Sequence, residues 1–119
     1  MTLGVLRTYK DLAEKEKVYD DGISQLEAKA TRARTPTEKA EYDGILERLE
    51  SRRAAVIRRK LEIDRAILEC EDDLDRKILL SVRSGATLET TADTVYLSRR
   101  AVSKRLRKIA LAWDAEERG

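Results

Sequence analysis

The sequence of 119 residues contains no histidine and no phenylalanine, and it has a single cysteine, a single proline and a single tryptophan. Without histidine and with Cys70 alone, the chain cannot build a disulfide framework or a Cys/His zinc site. Aromatic residues amount to only 4% of the chain, which excludes a large core with an aromatic centre. We therefore expect neither a metal nor another cofactor.

The sequence also lacks the features of an enzyme active site and of a membrane protein. It has no glycine-rich phosphate loop and no nucleophile with a nearby base, so we expect no enzymatic activity. No apolar run approaches the roughly 20 residues that a membrane span requires, and the N-terminus has no signal-peptide core. We therefore expect a cytoplasmic protein that does not interact with membranes.

Charge is what the sequence has in abundance. Charged residues make up 40% of the chain, but 25 basic residues are nearly balanced by 23 acidic ones, which leaves a net charge of +2. So small a net charge does not by itself indicate a nucleic-acid partner, and the distribution of the charges matters more. A composition rich in Ala, Glu, Lys, Leu and Arg is typical of long amphipathic helices. We predict an all-α fold.

Apolar residues recur at spacings of three and four in two long stretches, which predicts two long helices. The first, over about residues 3–31, carries a stripe of Val5, Tyr9, Leu12, Tyr19, Ile23, Leu26 and Ala30. The second, over about residues 36–71, carries a stripe of Tyr42, Leu46, Leu49, Val56, Ile63, Ile67 and Cys70. Thr35 and Pro36 are typical of a helix start, as N-cap and first helical residue. The short polar link predicts an antiparallel helical hairpin, a coiled coil, over residues 1–71.

The second long helix has a wider apolar face than one partner helix can cover. Ile57, Leu61 and Leu68 lie on a stripe beside the main one. This stripe needs a second contact, either with the C-terminal domain or with a second copy of the chain. We assign the three residues to an oligomer interface and expect a homodimer.

Residues 72–119 contain the helix caps and turn residues that are typical of a helix-turn-helix domain. Asp72 or Asp73 is suited to cap a helix that runs to about residue 83, although neither Gly nor Pro prevents the second long helix from continuing. Gly85 is the predicted end of that helix, in a left-handed conformation. Thr87 and Ser98 then cap the two helices of the motif, with the turn between them near residues 95–97.

The second helix of this motif is basic on one face. Between Ser98 and Trp113 there are six cations and no acidic residue. Val102, Leu106 and Ile109 point inward, and in a helix-turn-helix the opposite face enters the major groove, where arginine donates two hydrogen bonds to guanine. We predict base reading by Arg99, Arg100, Ser103 and Lys104. We predict contacts with the DNA backbone by Thr87, Ser98, Arg105, Arg107 and Lys108.

The stretch from Thr87 to Leu106 resembles the helix-turn-helix in region 4 of bacterial sigma factors. The residues that carry the resemblance are Thr87, Leu88, Glu89, Ala92, Leu97, Ser98 and Arg99. The preceding DRKILLSVRSG resembles the helix before the motif in that family. Three residues depart from the family pattern: Tyr96 stands where the turn often has glycine, while Thr91 and Arg105 stand at positions that are usually apolar.

With a helical hairpin in front, the whole chain is similar to the small sigma-like regulators of phages and prophages, of the ArpU type, associated with late-gene transcription. The resemblance implies a sequence-specific double-stranded DNA-binding transcription regulator, associated with the nucleoid of a bacterial cell. Two alternatives remain open. One is an interaction protein that docks on RNA polymerase through the sigma-like domain. The other is a phage DNA-packaging protein similar to small terminase subunits, although those usually place the DNA-binding domain first.

Overall fold

The computed structural model describes all 119 residues and contains six α-helices and no strand. The helices are α1 (Leu3–Leu6), α2 (Tyr9–Thr31), α3 (Pro36–Leu68), α4 (Asp73–Arg83), α5 (Leu88–Val95) and α6 (Arg99–Arg118). The prediction of an all-α fold is confirmed. None of the six helices combines the length and the apolar character needed to cross a lipid bilayer.

The chain divides into two compact units. Unit 1 contains Met1–Lys10 and Leu61–Gly119, and unit 2 contains Asp11–Lys60. Both boundaries fall inside helices, since α2 and α3 each contribute residues to both units. The sequence-based division into a helical hairpin over residues 1–71 and a helix-turn-helix domain over residues 72–119 stays a prediction.

The start of α3 in unit 2 has the predicted cap. Pro36 is the first helical residue, and the backbone N–H of Glu38 donates a hydrogen bond to the hydroxyl oxygen of Thr35 at 3.1 Å. Proline is well placed at this position because the first N–H groups of a helix have no partner within the helix. The local sequence therefore determines where α3 begins.

Ion pairs join α2 to α3 within unit 2. Arg53 donates to Asp20 at 3.0 Å, and Lys60 donates to Glu16. The earlier residue on α3, Arg53, pairs with the later residue on α2, and the later residue on α3, Lys60, pairs with the earlier one. The buried apolar side chains of this unit are few: Leu12, Ile23 and Val56.

Unit 1 contains most of the buried apolar side chains. They are Leu6, Ile63, Ile67, Ile78, Leu79, Val82, Ala92, Val95, Val102, Leu106, Ile109 and Trp113. The three helices α4, α5 and α6 all contact one another, and α1 contacts α4. Leu6 is fully buried and belongs to this core. The apolar periodicity of the sequence around it predicted only a stripe of side chains that packs against the second long helix.

Two helix ends differ from the prediction. The first long helix is interrupted after α1, where the hydroxyl of Thr8 donates to the carbonyl oxygen of Val5 at 2.6 Å. Threonine hydroxyls compete in this way with the backbone bonds of a helix. The second long helix ends at Leu68 and not at residue 71, because the N–H of Cys70 donates to Ile67, three residues back, and closes a tight final turn.

The predicted caps of the later helices are present. Asp72, Thr87 and Ser98 each accept a hydrogen bond from the backbone N–H three residues further on, at 2.9 to 3.1 Å. Gly85 has a φ of +88°, the left-handed conformation expected at the end of α4. Because these caps fix where α5 and α6 begin, they also determine which side chains of α6 face the core.

Thr91 and Arg105, which depart from the apolar pattern of the motif that the sequence resembles, both have polar partners. Thr91 is fully buried, and its hydroxyl forms a 2.7 Å hydrogen bond with the hydroxyl of Ser81. The guanidinium of Arg105 donates to Asp75 at 2.9 Å and lies 3.6 Å from Asp72. A buried polar group is tolerated when its hydrogen-bonding capacity is satisfied. The core therefore accommodates Thr91 without an unpaired buried side-chain polar atom, while Arg105 is paired at its half-buried edge.

A second polar cluster connects three helices of unit 1. Asp64 on α3 accepts hydrogen bonds from the hydroxyl of Tyr9 at 3.2 Å and from the guanidinium of Arg83 at 2.8 Å. The same guanidinium lies 4.7 Å from the centre of the Tyr9 ring, within the range of a cation–π contact. The cluster holds the start of α2 and the end of α4 against α3.

Candidate nucleic-acid interface

The connection between α5 and α6 is only three residues long and has a defined conformation. Tyr96 is left-handed, with φ 58° and ψ 40°. The N–H groups of Tyr96 and Leu97 donate to the carbonyls of Asp93 and Ala92, which is the bonding pattern of a Schellman helix end. Ser98 then caps α6. The direction in which α6 leaves the turn is therefore set by the backbone.

One face of α6 is buried and the opposite face is exposed and basic. Val102, Leu106, Ile109 and Trp113 pack in the core of unit 1. Five exposed cations lie elsewhere on the helix: Arg99, Arg100, Lys104, Arg107 and Lys108. None of the five forms a hydrogen bond or an ion pair within the chain. Their charges are therefore available to a ligand.

The helical spacing ranks these side chains by how far they point outward. At 3.6 residues per turn, Lys104 and Arg100 lie nearest the middle of the exposed face, with Arg107 and Lys108 on either side of them. Arg99 and Ser103 lie towards its edge, and Ser103 is half-buried. The stretch from residue 100 to residue 108 covers about 12 Å along the axis, and the helix diameter of about 10–12 Å fits the roughly 12 Å width of the DNA major groove.

The electrostatics of α6 favour an anion at its N-terminal half. The first turn contains Arg99 and Arg100 and no acidic residue, and the N-terminus of a helix carries a partial positive charge. The first acidic residue of the helix is Asp114. Positive potential is therefore concentrated on the part of α6 that follows the turn.

Two of the predicted backbone-contacting residues use their hydroxyl oxygens as caps. Thr87 accepts the N–H of Thr90 and donates its own hydroxyl proton to the Thr90 side chain at 3.0 Å. Ser98 accepts the N–H of Ala101, and its hydroxyl proton has no acceptor within the chain. Ser98 thus retains a donor for a phosphate, whereas the donor of Thr87 is already used.

Arg105 is the one basic residue between Ser98 and Trp113 that forms ion pairs within the chain. Its two carboxylate partners, Asp72 and Asp75, lie at the start of α4. The hydrogen bond from the backbone N–H of Asp75 lowers the pKa of the Asp72 carboxyl, and the charge of Arg105 lowers it further. This carboxyl is ionised at neutral pH, so the guanidinium has a stable partner. The assignment of Arg105 to the DNA backbone stays a prediction, and its guanidinium would have to share these carboxylate partners with a phosphate.

Tyr96 is the residue next to this face that sequence reasoning did not assign to a site. Its side chain is 94% exposed, and it stands two residues before the cap of α6. The only signal in the sequence was its place in a turn where glycine is common. An aromatic ring held outward at this point is available for contact with a bound molecule.

Unit 2 carries a second group of exposed cations with no partner in the chain: Arg48, Arg52, Arg58 and Arg59. Glu47 and Glu50 are interleaved with them on α3. The sign of the charge is therefore mixed along this stretch, in contrast to α6. A surface of mixed sign attracts a polyanion less strongly than a surface of one sign.

The residues predicted to form an oligomer interface differ in exposure. Leu61 is 60% exposed and Leu68 is 75% exposed, whereas Ile57 is half-buried. Leu61 and Leu68 are seven residues apart and therefore lie on the same side of α3, two turns apart. Both leucines are free to contact another chain.

Comparison with known proteins gives no assignment for this site. No family model, no curated protein and no solved structure matches the chain.

Proposed function

We propose that the chain is a sequence-specific, double-stranded DNA-binding transcription regulator. In this proposal α5 and α6 form the helix-turn-helix, and α6 enters the major groove. The observation that carries the proposal is the set of five exposed cations on α6 without a carboxylate partner in the chain. The resemblance of residues 87–106 to region 4 of sigma factors supports the same assignment.

The side chains of α6 divide between the bases and the DNA backbone. Arg99, Arg100, Ser103 and Lys104, near the start of the helix, read base edges, as the first turns of a recognition helix do. Each arginine that forms two hydrogen bonds with guanine contributes about 1–3 kcal/mol of discrimination. Contacts with phosphates come from Ser98, Arg107 and Lys108, with Thr87 nearby at the start of α5.

The test begins with a random-sequence duplex library, from which the full-length chain selects the duplexes that it binds. Affinities for a selected and for an unrelated duplex are then measured by fluorescence anisotropy. Arg100→Ala/Lys104→Ala is expected to lower the affinity for the selected duplex at least about tenfold, because two base contacts are lost. The preference over the unrelated duplex is expected to fall with it.

The matched control is Arg58→Ala/Arg59→Ala, which likewise removes two positive charges, but from unit 2. Its affinity for the selected duplex is expected to stay within about twofold of the natural chain, while Lys108→Ala reduces the slope of the salt dependence by about one phosphate contact. Equal losses in the two double variants would show that only net charge matters. Undiminished duplex binding by the α6 variant would remove the recognition-helix assignment and favour the polymerase-docking alternative.

We also propose that α2 and α3 form an antiparallel hairpin in unit 2 and that two chains pair through Leu61 and Leu68, with Ile57 beside them. One helix-turn-helix makes a small, salt-sensitive interface, and a dimer sets the spacing of two half-sites. Light scattering is expected to show a dimer for the natural chain and a monomer for Leu61→Glu/Leu68→Glu with unchanged helicity. A monomeric natural chain with full site preference would contradict the pairing.

A further inference from the structure

Unit 1 contains an open cleft of about 810 Å³ that the proposed DNA contacts do not explain. One wall is the final part of α3, with Glu62 and Ala66, together with Glu69 directly after the end of the helix. The other wall is the second half of α6, with Trp113 and Glu116 among its residues. The lining residues of each wall extend over about two turns, so the cleft is a groove about 11 Å long.

The floor of the groove is apolar. Its apolar lining includes Ile109 and Trp113, which are otherwise buried, and the half-buried Ala66. Val5 of α1 borders the same space and is 44% exposed. A concave surface with an apolar floor is the usual form of a binding site for an organic group or a protein side chain.

The rim of the groove is acidic. Four of its carboxylates have no ion pair within the chain: Glu62, Glu69, Glu71 and Glu116. The remaining three, those of Asp72, Asp75 and Glu117, are paired with Arg105 or with the N-terminal amine. The only basic side chains in the lining are Arg65 and Lys108. An excess of unpaired negative charge therefore surrounds an apolar floor.

This combination determines the chemistry of the occupant. The rim repels DNA phosphates, so nucleic acid does not enter the groove. The carboxylates do not converge in a group that holds a metal ion. A cation with an apolar surface satisfies both parts of the groove, since its charges meet the rim and its apolar part covers the floor.

We propose that the groove binds an amphipathic helix of another protein, with apolar residues on one face and Lys or Arg on both flanks. Two helical walls of two turns each suit a helix laid between them, which inserts side chains at positions i, i+3, i+4 and i+7. The floor uses Ile109 and Trp113, on the side of α6 opposite Arg100 and Lys104. Lys108 is the one side chain that both lines the groove and belongs to the proposed DNA contacts, and the inference does not depend on DNA binding.

The probe is a synthetic 15-residue helix with leucines on one face and lysines on both flanks. Two control peptides have either glutamates in place of the lysines or the same composition with the leucines scattered. Binding to the full-length chain is followed by the fluorescence of Trp113, the only tryptophan. The lysine peptide is expected to bind at least about tenfold more tightly than either control, because only it matches both rim and floor. Equal binding of the scattered-leucine peptide or of the glutamate peptide overturns the proposal.

The variant that tests the rim is Glu62→Lys/Glu69→Lys, which reverses two unpaired charges on the α3 wall. We expect it to weaken binding of the lysine peptide about tenfold, since like charges now face each other. The matched control is Glu47→Lys/Glu50→Lys, the same change on α3 in unit 2, with an expected effect within about twofold. Circular dichroism establishes that both variants fold. Equal weakening by the two variants overturns the proposal, because binding would then follow net charge alone.

A second copy of this chain is the competing occupant. If the natural chain self-associates, if Glu62→Lys/Glu69→Lys abolishes that association, and if the lysine peptide competes with it, then the groove is an interface between copies and the proposal is wrong. Self-association that is unaffected by this variant supports the proposal, since the groove is then free in the assembled protein.

Discussion

Unit 1 and unit 2 are built from the same kinds of residues but are held together differently. Unit 2 buries only three apolar side chains, Leu12, Ile23 and Val56, although it contains 50 residues. Unit 1 buries twelve, because α4, α5 and α6 all contact one another and each apolar stripe therefore faces more than one helix. Apolar periodicity alone does not separate these two cases, since it gives the face of a helix and not the number of helices that cover it.

The same difference applies to the polar contacts. In unit 2 the pairs are ionic and partly exposed, as between Arg53 and Asp20. Unit 1 also has partly exposed ion pairs, such as that of Arg83 with Asp64, but in addition the fully buried hydroxyl of Thr91 is hydrogen-bonded to the half-buried Ser81. Exposed ion pairs contribute little to stability because water screens them. We infer that unit 1 has the greater stability for its size, and we expect substitutions of the same type to cost more there.

The largest effect is expected from cutting back a buried isoleucine in each unit. Ile78→Ala in unit 1 is expected to lower the free energy of unfolding by about 2–5 kcal/mol, since the cavity is closed on all sides. Ile23→Ala in unit 2 is expected to cost about 2 kcal/mol or less, because two helices relax around a small cavity more readily than a multi-helix core. Urea denaturation followed by circular dichroism measures both.

The fluorescence of Trp113 supplies an internal check, because this residue belongs to unit 1. If unit 1 is the more stable unit, some helicity is lost at urea concentrations below those at which the Trp113 fluorescence changes. A single two-state transition then does not describe both probes. Equal costs for the two isoleucines together with coincident transitions would remove the distinction between the units.

A smaller effect is expected from the polar pairs. Thr91→Val keeps the shape of the side chain but leaves the hydroxyl of Ser81 without its partner, which is expected to cost about 1 kcal/mol. Asp20→Asn removes the charge opposite Arg53 and is expected to cost less than about 0.5 kcal/mol. Thermal unfolding of the two variants ranks them.

The double variant Ser81→Ala/Thr91→Val controls for the lost bond itself. It is expected to cost less than the sum of its single changes, because no hydroxyl is left unpaired. Additive costs would mean that the two hydroxyls do not depend on each other, and a larger cost for Asp20→Asn than for Thr91→Val would reverse the comparison.

The parts of the fold that depend on local chemistry were predictable. Pro36 after Thr35, the cap at Ser98 and the left-handed Gly85 all follow from rules that involve only a few neighbouring residues. The contribution of Leu6 to the core of unit 1 was not predictable, because it depends on a contact with residues far along the chain. The break before α4 was also left open, since neither glycine nor proline marks it.

The candidate interface was predictable as a face but not residue by residue. The one-signed charge of α6 is visible in the sequence, and Arg99, Arg100 and Lys104 are exposed and unpaired. The partner of Arg105 was not visible, because Asp75 lies 30 residues earlier and meets it only when α4 and α6 pack together. The acidic groove was missed for the same reason, since its walls come from helices that are distant in the sequence.

A small gain, close in size to the effect of Asp20→Asn, is expected at one of the two left-handed residues, which occur only in unit 1. Tyr96→Gly removes a side chain that is 94% exposed and relieves a backbone conformation that costs a non-glycine residue roughly 1–2 kcal/mol. Glycine also gives the unfolded chain more freedom, which offsets about 0.5–1 kcal/mol. The net expectation is a gain of about 0.5 kcal/mol, measured as a raised urea midpoint with an unchanged slope.

Tyr96→Ala keeps the same backbone strain and is the matched control, with no gain expected. Gly85→Ala reverses the sign, because a Cβ atom there would add the strain of a φ of +88° and would lie 3.3 Å from the side chain of Lys10. If Tyr96→Gly instead lowers the stability, the tyrosine ring stabilises the turn despite its exposure. If stability rises while the affinity for a selected duplex falls, the ring is exposed because it contacts DNA, and the strain at the turn of unit 1 is explained by binding.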